Sequence, residues 1–432
     1  MRIIHLTPGT GNFHCGSCLR DHALVKAMRD KGHDVVIVPL YLPMVTDDHD
    51  DNEEVAAPIF LGGINMFLQL KFRLFRWTPR IIDRFFDRES ILKKAVAKAG
   101  MTRAKDLGGL TVSSFKGVHG EQRKEVNNLI QWLKSQEKPD LVSFSNGLLA
   151  GIARSVTEEM GVPVVCTLQG EDSFIDALPE PYRRQSWDLF RENAEHVSKF
   201  VAVSEYYAGV MRERLGLSAN KVVAVHNGID FSQFSTGKNK PSNPPVIGYL
   251  ARMCMGKGMH TLVDAFIDLR QRGTVSAKLH LAGAKTDVDD EFINQQKQRL
   301  DAEGLLDDVT FSPNVTTEEK LALLQSFSVF SVPALYGESF GLYILEALAC
   351  EVPVVQPNHA AFPEILERTG GGLLYESEDP ANLADSLEMM LTLEERRRKL
   401  GVEGSQKARQ YFTSERMADD ALKVFASVVK NA

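Results

Sequence analysis

Two successive series of short apolar runs, each run followed by a helix-length stretch, constrain this chain more than any other feature of its sequence. The first begins at RIIHLT (2–7), passes through the glycine-bearing loop PGTGNFHCGSC and the helical stretch LRDHALVKAMRDKG, and reaches HDVVIVPLY. Leu19, Ala23, Val25 and Met28 recur there at roughly helical spacing, and Gly32 supplies the C-terminal stop. Strand, loop, helix and strand in that order make the βαβ unit of a parallel sheet. The pattern returns at PDLVSFS (139–145), VPVVCTLQ (162–169), KFVAVS (199–204) and NKVVAVHNGID (220–230). After STGKNKPSNPP (235–245), which has a linker composition, a second series runs through VIGYLA (246–251), KLHLAGA (278–284), DVTFSP (308–313), FSVFSVPA (327–334), VPVVQP (352–357) and GGLLY (371–375).

Buried strands alternating with helices imply an α/β chain of two doubly wound domains. At 432 residues the chain also exceeds the size at which a single core keeps growing. The expected division is an N-terminal domain over 1–235 with a helical insertion over about 57–116, a linker over 236–245, a C-terminal domain over 246–412 and a helix over 413–432. That last helix carries Met417, Ala421, Val424, Phe425 and Val428 on one face and is able to cross back to the N-terminal domain. Two open parallel sheets facing each other place their strand C-terminal edges at a shared cleft, where such sheets bind ligands.

Composition excludes some functions. A net charge of −7 argues against non-specific nucleic-acid binding as the main task. The five cysteines are scattered and odd in number, which is no disulfide framework. No run of about 18 apolar residues and no leader-like segment stands out. The expectation is a cytoplasmic protein that does not span a membrane.

The stretch YGESFGLYILEALA (336–349) carries the chemistry. The preceding strand is expected to end near Ala334, LYGES to form a loop, and FGLYILEALA a helix. Glu346 then sits towards the packed side, where a carboxylate is costly unless something hydrogen-bonds it, and a polyol such as ribose is a suitable partner. Glu338 precedes the helix, near the N–H groups of Phe340 and Gly341, which with the helix dipole suit a phosphate. In YLARMCMGKGMHTLVDAF (249–266), Arg252 and Lys257 follow a strand, and Gly256 and Gly258 allow close approach of a ligand. The bland alternatives are a helix-dipole partner, an ordinary helix glutamate and a solvated loop.

ESFGLYILEALA resembles the E-x7-E element of the family-4 retaining glycosyltransferases, which have the GT-B fold of two Rossmann-like domains. HNGID (226–230), ARMCMGKG (251–258), LHLAGA (279–284) and GGGLL (370–374) stand in that family's order. The resemblance implies that a hexose passes from a nucleoside-diphosphate sugar to a hydroxyl acceptor, a glycan or lipid-linked saccharide among the candidates, with retention and without a metal. It implies that Arg252 and Lys257 bind the diphosphate and that Glu338 contacts the donor sugar. Phe340 and Gly341 would offer N–H groups, Glu346 would hold the ribose, and the base would lie near Val315 and the loop after Gly283. Gly11 would let the acceptor-side N-terminal domain approach the phosphates. Gln169 stands where the family often has histidine, so hydrogen bonding rather than acid–base work is expected there. Asp172 and His14 are further candidates for an acceptor or sugar contact. A sugar phosphorylase or synthase of the same fold, and a nucleotide-binding protein without transfer activity, are the competing readings.

Two weaker signals remain. Cys15 and Cys18 form a C-x2-C spacing without a second pair, and GTGNFH lacks the third glycine of a dinucleotide fingerprint, so neither a metal nor NAD is expected. Residues 64–88 place Arg80, Arg84 and Arg88 on one face and Ile81, Ile82, Phe85 and Phe86 on another. Such a stretch suits either an acceptor-side wall or peripheral attachment to the inner face of an anionic membrane.

Overall fold

Two six-stranded sheets, parallel throughout, account for the two apolar series. The computed structural model describes residues 1–9, 16–41, 104–234, 242–376 and 380–430. The chain divides into two units, residues 1–226 with 417–432 and residues 227–416. Its boundary at Asn227 lies upstream of the Lys-, Asn-, Ser- and Pro-rich tract.

The first sheet comprises β1 (Arg2–Thr7), β2 (Asp34–Pro39), β3 (Leu141–Phe144), β4 (Val164–Leu168), β5 (Lys199–Ala202) and β6 (Val222–Ala224), in the order β2-β1-β3-β4-β5-β6. Every residue of β3 and β4 is buried, as expected for strands covered on both faces. The strand order therefore reverses between β1 and β3. From the insertion, the helix Ala104–Phe115 is described, and Phe115 stacks on Phe190 with ring centres 5.2 Å apart. The basic stretch with Arg80, Arg84 and Arg88 lies outside the described residues, among which no helix is long and apolar enough to cross a membrane.

The second sheet comprises β7 (Val246–Leu250), β8 (Lys278–Gly283), β9 (Val309–Pro313), β10 (Val329–Phe330), β11 (Val354–Pro357) and β12 (Gly372–Tyr375), in the order β12-β11-β10-β7-β8-β9. Here the order reverses between β7 and β10, and ligands of open parallel sheets bind at the carboxyl ends of the strands at such a point. The strand β10, Val329–Phe330, is shorter than FSVFSVPA suggests: Ser331 N still donates to Gly248 O at 2.9 Å, but Val332 N turns to Gln356 Oε1 and Pro333 has no N–H to donate.

The final helix, Ser414–Val429, belongs largely to the first unit. Met417, Ala418, Ala421 and Phe425 are buried there with Ile3, Leu24, Met28 and Val35, so the apolar face read from the sequence completes that unit's core. Where the chain enters and leaves the second unit, Ile229 N donates to Phe412 O at 3.0 Å and Ser414 N to Ile229 O at 3.0 Å. Phe425→Ala is expected to lower the stability of the first unit by about 3 kcal/mol, because a buried aromatic leaves a cavity. Scanning calorimetry should show that unit's transition shifting down; an unmoved transition would mean the helix is not part of its core.

Candidate functional site

The loops that leave β7 and β10, the neighbouring strands at the reversal of the second sheet, bring Lys257 and Glu338 together. Lys257 ends the tight turn Met255–Lys257, and Gly258 follows with φ +72°. A Cβ on Gly258 would stand 1.7 Å from Pro333 O, so only glycine allows the two loops to approach this closely. The Leu335 N–H closes the approach by donating to Gly256 O at 3.0 Å. The Lys257 ammonium donates to Glu338 Oε2 in a half-buried ion pair.

Two tyrosines from the same stretch complete this cluster. Tyr343 donates to Glu338 Oε2 at 3.1 Å and Tyr336 does so at 3.5 Å. The Lys257 ammonium lies 5.0 Å from the Tyr336 ring centre and 5.4 Å from that of Tyr343, within range of a cation–π attraction. Burial pulls the Lys257 ammonium down, but the Glu338 charge outweighs it and leaves its pKa above the ordinary lysine value. Burial pushes the Tyr336 phenol up to about 12 and Tyr343 well above its usual value, so both are neutral donors around pH 7. All three bonds land on Oε2, and Glu338 Oε1 has no hydrogen-bond partner among the described residues.

The helix Leu342–Ala349 starts later than the sequence suggests. Gly341 has φ +96°, outside the helical region, and Phe340 is buried in the loop with its ring 6.0 Å from that of Phe412. Glu346 lies on the half-buried side, beside Leu342, as expected. Its partner was not foreseen: Lys320, on the helix Thr317–Ser326, donates to Glu346 Oε1 at 2.9 Å.

Arg252 follows β7 with its side chain about half exposed, and its Nη2 lies 3.3 Å from Asp289 Oδ1. The buried Asp289 also accepts from Thr286 N at 2.9 Å and Thr286 Oγ1 at 2.7 Å, closing a capping box. The loops after β8 and β9 are joined, since Asn314 N donates to Gly283 O at 2.8 Å and Lys285 N to Asn314 Oδ1 at 2.9 Å. Gly283 and Val315 therefore belong to one local structure. Gly283 ends β8, and Arg252, Lys257, Val315 and Glu338 follow the carboxyl ends of β7, β9 and β10, the four strands lying side by side in the sheet, with Glu346 on the helix beyond.

In the first unit, the corresponding reversal holds a buried polar network. Asp21 accepts from Thr7 Oγ1 at 3.0 Å, from Arg20 Nη1 at 2.9 Å and from the Ser145 hydroxyl, all of these side chains being buried. Gln169 follows β4, and its Nε2 donates to Ser145 O at 2.6 Å. Between Gln169 and the half-buried Asp172 stands Glu171, which the sequence reading passed over. Its buried carboxylate accepts from Gly147 N at 2.8 Å, Gln169 N at 2.9 Å, Gly170 N at 3.1 Å and Tyr207 Oη at 2.9 Å. Burial lifts the Glu171 carboxyl above the ordinary glutamate value, against hydrogen bonds that pull the other way. Gly11, His14 and Cys15 lie outside the described residues. Among the described residues Cys18, Cys166 and Cys350 are buried, and no group of three or more His, Cys, Asp or Glu side chains is placed to hold a metal.

Residues 230–407 match the family described as "Glycosyl transferases group 1", and residues 117–233 match "Glycosyltransferase Family 4". A D-inositol 3-phosphate glycosyltransferase of Salinispora tropica is 25% identical over 351 residues, covering 75% of this chain and 71% of the relative. A phosphatidyl-myo-inositol mannosyltransferase of Mycobacterium leprae is 28% identical over 238 residues, covering 53% of this chain and 59% of the relative. Among solved structures, Anabaena HepE in complex with UDP superposes with a TM-score of 0.68 at 16% identity, covering 99% of this chain and 100% of that one. Sucrose-phosphate synthase from Thermosynechococcus elongatus gives 0.71 at 17% identity, with both chains fully covered. The fold is thus GT-B, built of two Rossmann-like units. The chain belongs to the family-4 glycosyltransferases.

The site's entry loop makes a pH prediction. His359 Nε2–H donates to Ala334 O at 3.1 Å, and Ala361 N to Glu338 O at 3.3 Å, so residues 359–361 brace the loop that carries Glu338. Burial holds His359 below the ordinary histidine value, although that hydrogen bond acts the other way, and burial lowers His260 and His280 too. A histidine with a depressed folded pKa takes its proton first in the unfolded chain. The contribution of these histidines to the stability of the second unit is therefore present above about pH 6.5 and is lost as the pH falls below it. His359→Asn is expected to make that loss shallower in urea unfolding between about pH 5 and 6.5, because one group that protonates more readily in the unfolded chain is removed. An unchanged pH slope would contradict the assignment.

Proposed function

We propose that the protein is a retaining glycosyltransferase that moves a hexose from a nucleoside-diphosphate sugar to a hydroxyl of a sugar-containing acceptor. The observation that carries this reading is the Lys257–Glu338 pair at the strand-order reversal of the second sheet, with Glu346 eight residues further on. Glycosyl transfer needs fixed positive groups at the departing diphosphate, acceptors for the donor sugar's hydroxyls and a grip on the nucleoside. Lys257 spends one donor on Glu338 and keeps others for a phosphate oxygen, and the half-exposed Arg252 adds a planar fork. The backbone N–H groups of Phe340 and Gly341 supply further donors to the phosphates. Glu338 accepts from the sugar through Oε1, and Glu346 from the ribose. HepE was crystallised with UDP and with UDP-glucose, which supports a nucleotide sugar as donor.

The acceptor side falls to the first unit, with Gln169 and Asp172 as contacts held in place by Glu171; Gly11 and His14 retain the roles that the resemblance gives them. The relatives named for inositol phosphate and for phosphatidylinositol support a hydroxyl-bearing acceptor. No side chain is assigned as nucleophile. The departing diphosphate oxygen takes the acceptor's proton on the face from which it leaves, which retains configuration. Side chains meet the diphosphate charge, so transfer is expected to proceed equally well in EDTA and in magnesium. Peripheral attachment through about 64–88 is part of this proposal, with location at the inner face of the membrane.

The variants separate the roles. Glu346→Ala is expected to weaken nucleoside diphosphate binding roughly tenfold or more, the worth of a hydrogen bond to a charged group. Lys257→Ala should leave that affinity less affected and lower turnover by about 10²- to 10³-fold, as loss of a donor to developing negative charge does. Calorimetric titration with UDP, GDP and ADP, and turnover with the corresponding sugars, check both. Equal diphosphate affinity in both variants and the parent would contradict the assignment.

A further inference from the structure

The ion pair between Lys320 and Glu346 has no part in the reading above beyond the glutamate. Lys320 lies one turn into the helix Thr317–Ser326, whose N-cap Thr316 forms a capping box with Glu319. The loop entering that helix is Asn314–Val315, the segment that the proposed function gives to the base. Glu346 lies on a different helix, Leu342–Ala349, and is the residue given to the ribose. Lys320 thus joins the base-side element to the ribose-side element. Its side chain is 23% exposed and that of Glu346 is 17% exposed, so the pair is largely withdrawn from water yet open on one side. The one bond joins Nζ to Oε1 at 2.9 Å; Oε2 and the other ammonium N–H groups have no partner among the described residues.

We propose that Lys320 is a specificity-determining residue for the nucleoside end of the donor. With Oε1 tied to the ammonium, Glu346 offers Oε2 as an acceptor beside unused N–H donors. Such a donor–acceptor couple matches a vicinal diol, in which one hydroxyl donates to the carboxylate while the neighbouring oxygen accepts from the ammonium. A lone carboxylate would accept from either hydroxyl; the couple reads both. A nucleotide lacking one of them leaves a half-buried charged group without its partner, and sites of that kind discriminate strongly. This inference rests on the donor-site reading given above.

The test compares the parent, Lys320→Met and Lys320→Arg by calorimetric titration. The probe is whichever of UDP, GDP and ADP the parent binds most tightly, together with its 2′-deoxy and 3′-deoxy forms. In the parent, removal of either hydroxyl should weaken binding roughly tenfold, as loss of a hydrogen bond to a charged group does. Lys320→Met should bind the ribonucleotide roughly tenfold more weakly and lose the penalty for one of the two deletions. Lys320→Arg should keep both penalties. Should the Met variant not fold, Lys320→Gln serves the same comparison. If Lys320→Met retains both penalties, Lys320 only bridges two helices and the inference is overturned, while the donor-site reading stands. Failure of the parent to bind any of the three diphosphates would overturn both.

Discussion

The pairing of a lysine with a glutamate across the strand-order reversal of the second sheet is the interaction on which the functional account depends. The two residues come from loops 81 positions apart in sequence. They meet because β7 and β10 are neighbours and because Gly258 allows its loop to lie against Pro333. A half-buried lysine beside two aromatic rings would be disfavoured alone, and a half-buried glutamate likewise; each removes the cost of the other. Tyr336 and Tyr343 add hydrogen bonds to the same carboxylate oxygen, and the second one has no partner among the described residues. The result is a fixed positive charge with an acceptor beside it, set at the point in the fold where open parallel sheets hold ligands.

The rest of the second unit extends that arrangement. Arg252 is steadied by Asp289, whose own position is set by a capping box, and Glu346 by Lys320. Every ionic group given to the donor thus has a counter-charge from a neighbouring element. The first unit uses a different device, burying Asp21 and Glu171 under several hydrogen bonds each at the ends of its central strands. Those networks fix the segments after β3 and β4, the second of which carries Gln169 and Asp172.

Much of this was legible in the sequence. Most of the apolar runs match the strands to within about two residues because strands covered on both faces need continuous apolar stretches, whereas NKVVAVHNGID (220–230) holds only the short strand Val222–Ala224. The run before Ala334 misled, since Val332 N turns to Gln356 and Pro333 has no N–H to donate. In the same stretch, the helix formers around Phe340 suggest an earlier helix start than Gly341 permits, because its φ of +96° lies outside the helical region. Arg252, Lys257, Glu338 and Glu346 could be singled out by local motif and resemblance. Their partners could not. Lys320 and Asp289 lie in unremarkable polar helix segments, and contact with Glu346 or Arg252 depends on how distant elements pack. Thr286 and Asp289 do carry a capping-box spacing that is visible in the sequence. Tyr336 and Tyr343 stood inside the quoted motif, but only the fold shows that both turn towards Glu338.

The central claim concerns where a nucleotide sugar sits relative to these charges. A crystal structure of the protein with a bound nucleoside-diphosphate sugar tests it most directly. The account predicts the diphosphate in hydrogen-bond contact with Lys257 and Arg252, a sugar hydroxyl on Glu338 and the ribose on Glu346. A donor seated elsewhere, or one whose phosphates lie away from Lys257, would contradict it.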